Sequence, residues 1–178
     1  AYIDYLSKLL SSIDFKKLEK LEKTLLLARK NDKNIFVFGN GGSAATASTM
    51  ANDLGFDIIK KTKTKKAFKF FALTDNTPVL TAISNDTGYE NLFVNQLKIH
   101  FKKGDFAIII SASGNSKNLI LASKWIKKNK GKTFSLLGFD GGALKKLTDD
   151  YLIINSIKGD YGPVEDTHLI LNHILAHW

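Results

Sequence analysis

The chain of 178 residues contains no cysteine. That excludes a disulfide scaffold, a thiol nucleophile and any thiolate metal site. No apolar run approaches the ~20 residues needed to span a bilayer, and the start lacks the charged-then-apolar layout of a secretory leader. Arginine is almost missing: of 26 basic residues only Arg29 is an arginine. Arginine suits forked contacts with phosphates and guanine edges. A net charge of +9 built from lysine therefore argues weakly for nucleic acid, and no such partner is expected. The densest basic patch is Lys60, Lys61, Lys63, Lys65, Lys66 and Lys69, interrupted by Thr62 and Thr64. It reads as a solvated loop and edge, with steering of anionic substrates or partners as the alternative.

What is present is a globular composition, 44% hydrophobic and 24% charged, in a length that suits one domain spanning residues 1–178. The chain begins at Ala1 and stops inside a helical stretch at Trp178, so segments beyond both ends are expected. A soluble cytoplasmic protein is the default expectation.

Two amphipathic helical segments open the chain, at about 2–31, the second placing Phe15, Leu18, Leu21, Leu25 and Ala28 at helical spacing. Ile35-Phe36-Val37-Phe38, bounded by Asn34 and Gly39, reads as a buried parallel strand. Phe70 to Leu73, Ala107 to Ile110, Thr133 to Leu137 and Tyr151 to Ile154 read as four more, the first of them also buried. Helices are predicted at about 43–54, 78–84, 90–102, 116–129 and 164–178, with a short one after Gly141-Gly142. Strands alternating with helices predict an α/β three-layer sandwich around a five-stranded parallel sheet. Ligands of such sheets bind at the carboxyl ends of the strands.

Two loops stand at such ends. Gly39-Asn40-Gly41-Gly42-Ser43-Ala44 follows the first strand. It lacks the Gly-Lys-Ser/Thr ending of a P-loop and the glycine spacing of a dinucleotide site. Its glycines let the backbone approach an anion or sugar oxygens at a helix start. The plainer alternative is a tight turn with Ser43 as helix cap. Ser111-Ala112-Ser113-Gly114-Asn115-Ser116 follows the third strand. Three hydroxyls exceed what capping requires, so a neutral cradle for a phosphomonoester is favoured over turn chemistry.

Three of the four histidines fall on the last helix, in Val164-Glu165-Asp166-Thr167-His168 and Asn172-His173 with His177; His100 is the fourth. His168 shares a helix face with Asn172, and His173 with His177. His168 and His177 are read as ordinary surface or core residues. Asp53, among Met50, Ala51 and Leu54, is expected to be partly shielded, which would raise its pKa and make it a better base.

These pieces, in this order, resemble the sugar isomerase (SIS) domain, and more narrowly the phosphoheptose isomerase family, over nearly the whole chain. The motifs Gly39 to Ala45 and Ser113 to Ser116 carry the likeness, joined by Ser84-Asn85-Asp86 and the helix from Glu165 to His173. The resemblance implies a five-stranded parallel sheet between helices, assembled as a homotetramer with active sites between subunits. It implies a phosphate held by Ser43, Ser111, Ser113 and Ser116, with Gly41, Gly42, Ala112, Asn115 and Glu165 beside the substrate. Asn40 and Asp86 would hold the sugar chain. Asp53, where the family usually has a glutamate, and His173 would be catalytic. It also implies one zinc ion per subunit, for which the corresponding positions are Thr49, Asp53, Glu165 and His173.

The sequence departs from that pattern. Thr49 stands for a histidine, Glu165 for a glutamine, and Gly162 near a usual aspartate. Asp53 is one methylene short, so its carboxylate sits ~1 Å or more further back, a displacement that matters to proton transfer. Glu165 and His173 lie ~12 Å apart along an ideal helix, so they would share an ion only through an irregular helix start or two subunits. The implied reaction moves a proton between neighbouring carbons of a sugar phosphate through an enediol, feeding bacterial heptose and surface-glycan synthesis. Two alternatives stay open. One is a binding module without catalysis, such as relatives that associate with the replication initiator. The other is an isomerase of a different sugar phosphate.

Overall fold

All five apolar runs become strands of one parallel sheet in the computed structural model, which describes residues 1–177. Trp178, read above as the end of the last helix, lies outside the described residues. In chain order these are α1 (Tyr2–Ser11), α2 (Phe15–Lys30), β1 (Asn34–Gly39) and α3 (Gly42–Ala51). A π turn (Asn52–Asp57) joins α3 to α4 (Ile58–Thr62). Then come β2 (Lys69–Ala72), α5 (Thr77–Thr87), a 3-10 turn (Tyr89–Asn91), α6 (Leu92–His100), β3 (Phe106–Ser111) and α7 (Lys117–Lys128). The chain closes with β4 (Lys132–Gly138), α8 (Leu144–Leu147), β5 (Asp150–Ile154) and α9 (Tyr161–His177).

The strand order is β2-β1-β3-β4-β5, every pair parallel. Period-2 alternation sends each strand into two cores. Ile35, Val37, Ile108, Ile110, Leu136 and Leu152 join one core with α1, α2, α3 and α9. Phe36, Phe38, Ala107, Ile109 and Leu137 join the other with α6, α7 and α8. Each fully buried aliphatic or aromatic side chain contributes ~1.5–3 kcal/mol, so these central strands hold the layers together. Because β2 lies on one side of β1 and β3 on the other, the order reverses between β1 and β3. That switch point opens a crevice at their carboxyl ends.

Five expectations are corrected. The run Phe70 to Leu73 is not a buried strand: β2 is a sheet edge, and Phe71 is 48% exposed. Phe15 is 47% exposed, whereas Leu18, Leu21, Leu25 and Ala28 do face the core. The helix expected to stop at about 54 continues through the π turn into α4, and α9 begins at Tyr161 rather than 164. Ser43 is not a cap, since Gly41 occupies that position with φ 56°. The lysine patch falls on α4, the following loop and the start of β2. It lies at the amino end of the sheet, away from the crevice, with Lys69 paired to Asp32 at 2.6 Å. That placement favours the solvated-edge reading over steering of a ligand.

Candidate active site

The crevice is built by two loops that meet across the switch point. Gly39 has no room for a side chain, because a Cβ would stand 2.7 Å from both the Ile110 carbonyl and Ser43 Cβ. Its absence lets the start of α3 press onto the tip of β1, burying Ser43. A cleft of about 130 Å³ follows, lined by Asn40, Ser43, Ser111, Ala112, Ser113, Ser116, Tyr161 and Glu165, with Ile110 and Leu119 as its floor. Ser111 Oγ accepts from the Gly114 N–H at 3.0 Å and Ser113 Oγ from the Asn115 N–H at 3.3 Å. Both hydroxyls keep their own hydrogens for a ligand. Ser116 begins α7 without a side-chain capping bond, so its hydroxyl and the Lys117 and Asn118 N–H groups stay open to an anion, while the Leu119 N–H donates to Asn118 Oδ1 at 2.9 Å. No lysine or arginine lines the cleft.

Glu165 reaches in from the first turns of α9. A Cβ on Gly42 would overlap its carboxylate, with Oε1 at 2.7 Å, so glycine is what lets this side chain lie over the start of α3. Burial, then the nearby Asp166 charge, raises the Glu165 pKa.

Asn40 and Asn118 exchange amide hydrogen bonds at 3.0 and 2.9 Å, and the Tyr89 hydroxyl donates to Asn40 Oδ1 at 2.9 Å. Asn40 also borders a second depression, with Thr81, Ser84 and Tyr89 on its walls. Asn118, Tyr89 and Tyr161 were missed by the sequence reading. Asn118 carried a usable signal, lying two residues beyond Ser116 on the same loop-to-helix junction.

Other expected residues fall elsewhere. Asn115 is exposed and its Oδ1 accepts from the Ala143 N–H at 2.9 Å, so it ties two loops together. Asp86 is exposed on α5, accepts from the Asn85 amide at 2.9 Å, and does not line the cleft. His168 is fully buried, with Nε2 donating to the Leu137 carbonyl at 3.1 Å; burial pushes its pKa down to about 4. It is a core residue, and His177 is exposed, as both were read.

Asp53 and His173 come together. Asp53 stands at the start of the π turn with its side chain 15% exposed, and its Oδ2 lies 3.7 Å from His173 Nε2. His173 is 53% exposed. Asn172 Nδ2 donates to the same Asp53 oxygen at 2.7 Å, and Asn52 Nδ2 donates to Oδ1 at 3.0 Å. Glu165 is not part of this group, being ~12 Å away along α9. Among the described residues no three histidine, aspartate or glutamate side chains gather as a metal site. The Thr49 hydroxyl donates back to the Ala45 carbonyl at 3.0 Å. The donor set of one chain therefore does not fit the zinc ion that the resemblance implies.

Comparison with known proteins gives the family. The SIS domain family model matches residues 1–138. The phosphoheptose isomerase of Sulfurimonas denitrificans is 39% identical over 90% of this chain and 80% of its own. This chain belongs to the phosphoheptose isomerase family of SIS-domain proteins. The Leptospira biflexa member is 41% identical over 86% of this chain and 77% of its own. The solved phosphoheptose isomerase GmhA of Neisseria gonorrhoeae is 28% identical, covering 97% of this chain and 89% of that one with a TM-score of 0.85. Members of this family are sugar-phosphate isomerases, so the chain is an enzyme of that kind. Among the described residues no helix is long and apolar enough to cross a membrane.

Proposed function

We propose that the chain interconverts sedoheptulose 7-phosphate and D-glycero-D-manno-heptose 7-phosphate, in the cytoplasm, for bacterial heptose and surface-glycan synthesis. One observation carries the reading: a carboxylate and an imidazole 3.7 Å apart, Asp53 and His173, on two helices that both begin at the neutral serine cleft. The serine hydroxyls and the open N–H groups of α7 hold the phosphate. Asp53 takes the proton from C1 while the carbonyl oxygen at C2 gains one, giving the enediol. Return of a proton to C2, with loss of one from the C1 hydroxyl, completes the exchange. His173 serves as the partner acid and base.

The sugar carries its phosphate and its reacting carbons at opposite ends, which suits a cradle and a proton pair set apart along α9. A homotetramer would close the site between copies. The exposure of His173 and of Phe56 and Ile59, three and six residues beyond Asp53 at 62% and 36%, supports packing there.

The test is incubation with sedoheptulose 7-phosphate, followed by NMR, with light scattering for the subunit count. His173→Ala is expected to abolish turnover while sugar-phosphate binding persists. Parental turnover in that variant would overturn the assignment. Binding without conversion by the parent protein would favour the binding module.

A further inference from the structure

We propose that Asn172 is a positioning residue: its amide fixes the Asp53 carboxylate in the orientation from which it exchanges protons. The inference deepens the reading above and rests on Asp53 being the catalytic base.

Asn172 is fully buried in the middle of α9, one residue before His173. Asparagine is a poor residue for a helix interior, and an amide costs free energy to bury unless it is bonded. Its Nδ2 makes one bond, to Asp53 Oδ2 at 2.7 Å, while its Oδ1 has no partner among the described residues. A residue kept for packing alone would be aliphatic, as Leu171 and Leu175 are on the same helix. Asn52 holds the other Asp53 oxygen, so two neutral amides grip both ends of one carboxylate. A lysine or arginine in that place would neutralise the base; an amide orients it and leaves its charge in place. The grip matters more here because the carboxylate is short. Aspartate cannot extend toward its target, and a misplacement of ~1 Å can cost ~10²-fold in rate. Asn172 also couples base and imidazole, since it is adjacent to His173 in the chain and bonded to the oxygen His173 faces.

The experiment is steady-state isomerisation of sedoheptulose 7-phosphate by the full chain and three variants. Asn172→Leu, close in volume but without a donor, is expected to lower kcat by about 10–100-fold with KM within about twofold. Asn172→Ala, which leaves a small cavity instead of a bulkier branch, carries the same expectation if N172L fails to fold. A purely structural role would lower the melting temperature without that split. Parental kcat in a folded N172L or N172A would overturn the proposal. Asp53→Ala separates the two ideas. If D53A is inactive and N172L is parental, the grip is wrong and the base stands. Parental turnover by D53A would remove Asp53 from the chemistry and the grip with it.

Discussion

Adding one methyl group at Gly114 is expected to damage the enzyme, while the same change at Gly42 is expected to leave the fold intact. Gly114 sits in the serine loop at φ +64°, and a Cβ there would run into the Gly141 carbonyl, its carbon 2.7 Å away and Gly142 N 3.2 Å away. Carbon atoms pack at about 3.5–4.0 Å, so the two loops must part by ~1 Å. Neither neighbour is a side chain that can rotate aside. The parting breaks or stretches two bonds that join the loops, Leu144 N–H to the Gly114 carbonyl at 3.0 Å and Ala143 N–H to Asn115 Oδ1 at 2.9 Å. Left-handed backbone costs a non-glycine residue ~1–2 kcal/mol, and each lost bond ~0.5–1.5 kcal/mol. Together these amount to about 2–5 kcal/mol, which in a domain of this size lowers Tm by about 4–20 °C.

At Gly42 the obstacle is the tip of the Glu165 side chain, and the backbone is helical, where alanine is favoured over glycine by ~1 kcal/mol. The Gly42→Ala protein is expected to melt within about 3 °C of the parent and to show an altered KM, because Glu165 must move in the cleft. Scanning fluorimetry of both variants, with KM measured alongside, decides the matter. A Gly114→Ala protein that melts within about 3 °C of the parent and keeps its KM would refute the claim that the two loops are interlocked through this glycine.

Two further tests follow from named groups. Ser113→Ala removes one hydroxyl from the phosphate cradle; a bond to a charged group is worth ~1.5 kcal/mol, so KM is expected to rise about tenfold with kcat within about threefold, and an unchanged KM would remove Ser113 from the cradle. His168 is neutral in the folded protein down to about pH 4 against 6.5 when exposed. Its contribution is present above pH 6.5 and is lost as pH falls toward 4. At pH 5 the loss is about 2 kcal/mol relative to pH 7.5. Urea unfolding of the parent should show it, His168→Gln should show a correspondingly smaller drop, and parallel curves would refute the assignment.

The central strands were legible because a strand buried on both faces must be apolar at every position, as Ile35 to Phe38 and Ala107 to Ile110 are. Phe70-Phe71-Ala72 carries the same signature at a sheet edge. Composition records how apolar a run is, whereas its place in the sheet depends on which strands pair across it. The serine cleft was legible for a local reason: glycine and serine at a strand tip have little else to do. Tyr89 and Asn172 were not, since each acquires its meaning from a partner far along the chain, at Asn40 or Asp53. Asp86 is part of a motif in the sequence, and the fold leaves its side chain exposed on α5, outside the serine cleft. The π turn left only a faint trace, a glycine at position 55 inside a helical stretch.

The departures at Thr49, Asp53 and Glu165 make sense together when their hydrogen bonds are followed. The Thr49 hydroxyl turns back onto its own helix, and Glu165 leaves the Asp53 neighbourhood to close over Gly42. Around Asp53 this leaves an imidazole and two amides. The two amides hold the carboxylate without cancelling its charge. The cleft shows the same economy of charge, because no cation lines it and burial raises the pKa of its one carboxyl. A phosphate there meets hydroxyls and N–H groups, which bind a dianion by direction rather than by net attraction. Such a site holds its ligand through geometry, so its performance depends on the glycines and amides that set the geometry more than on any single charged residue.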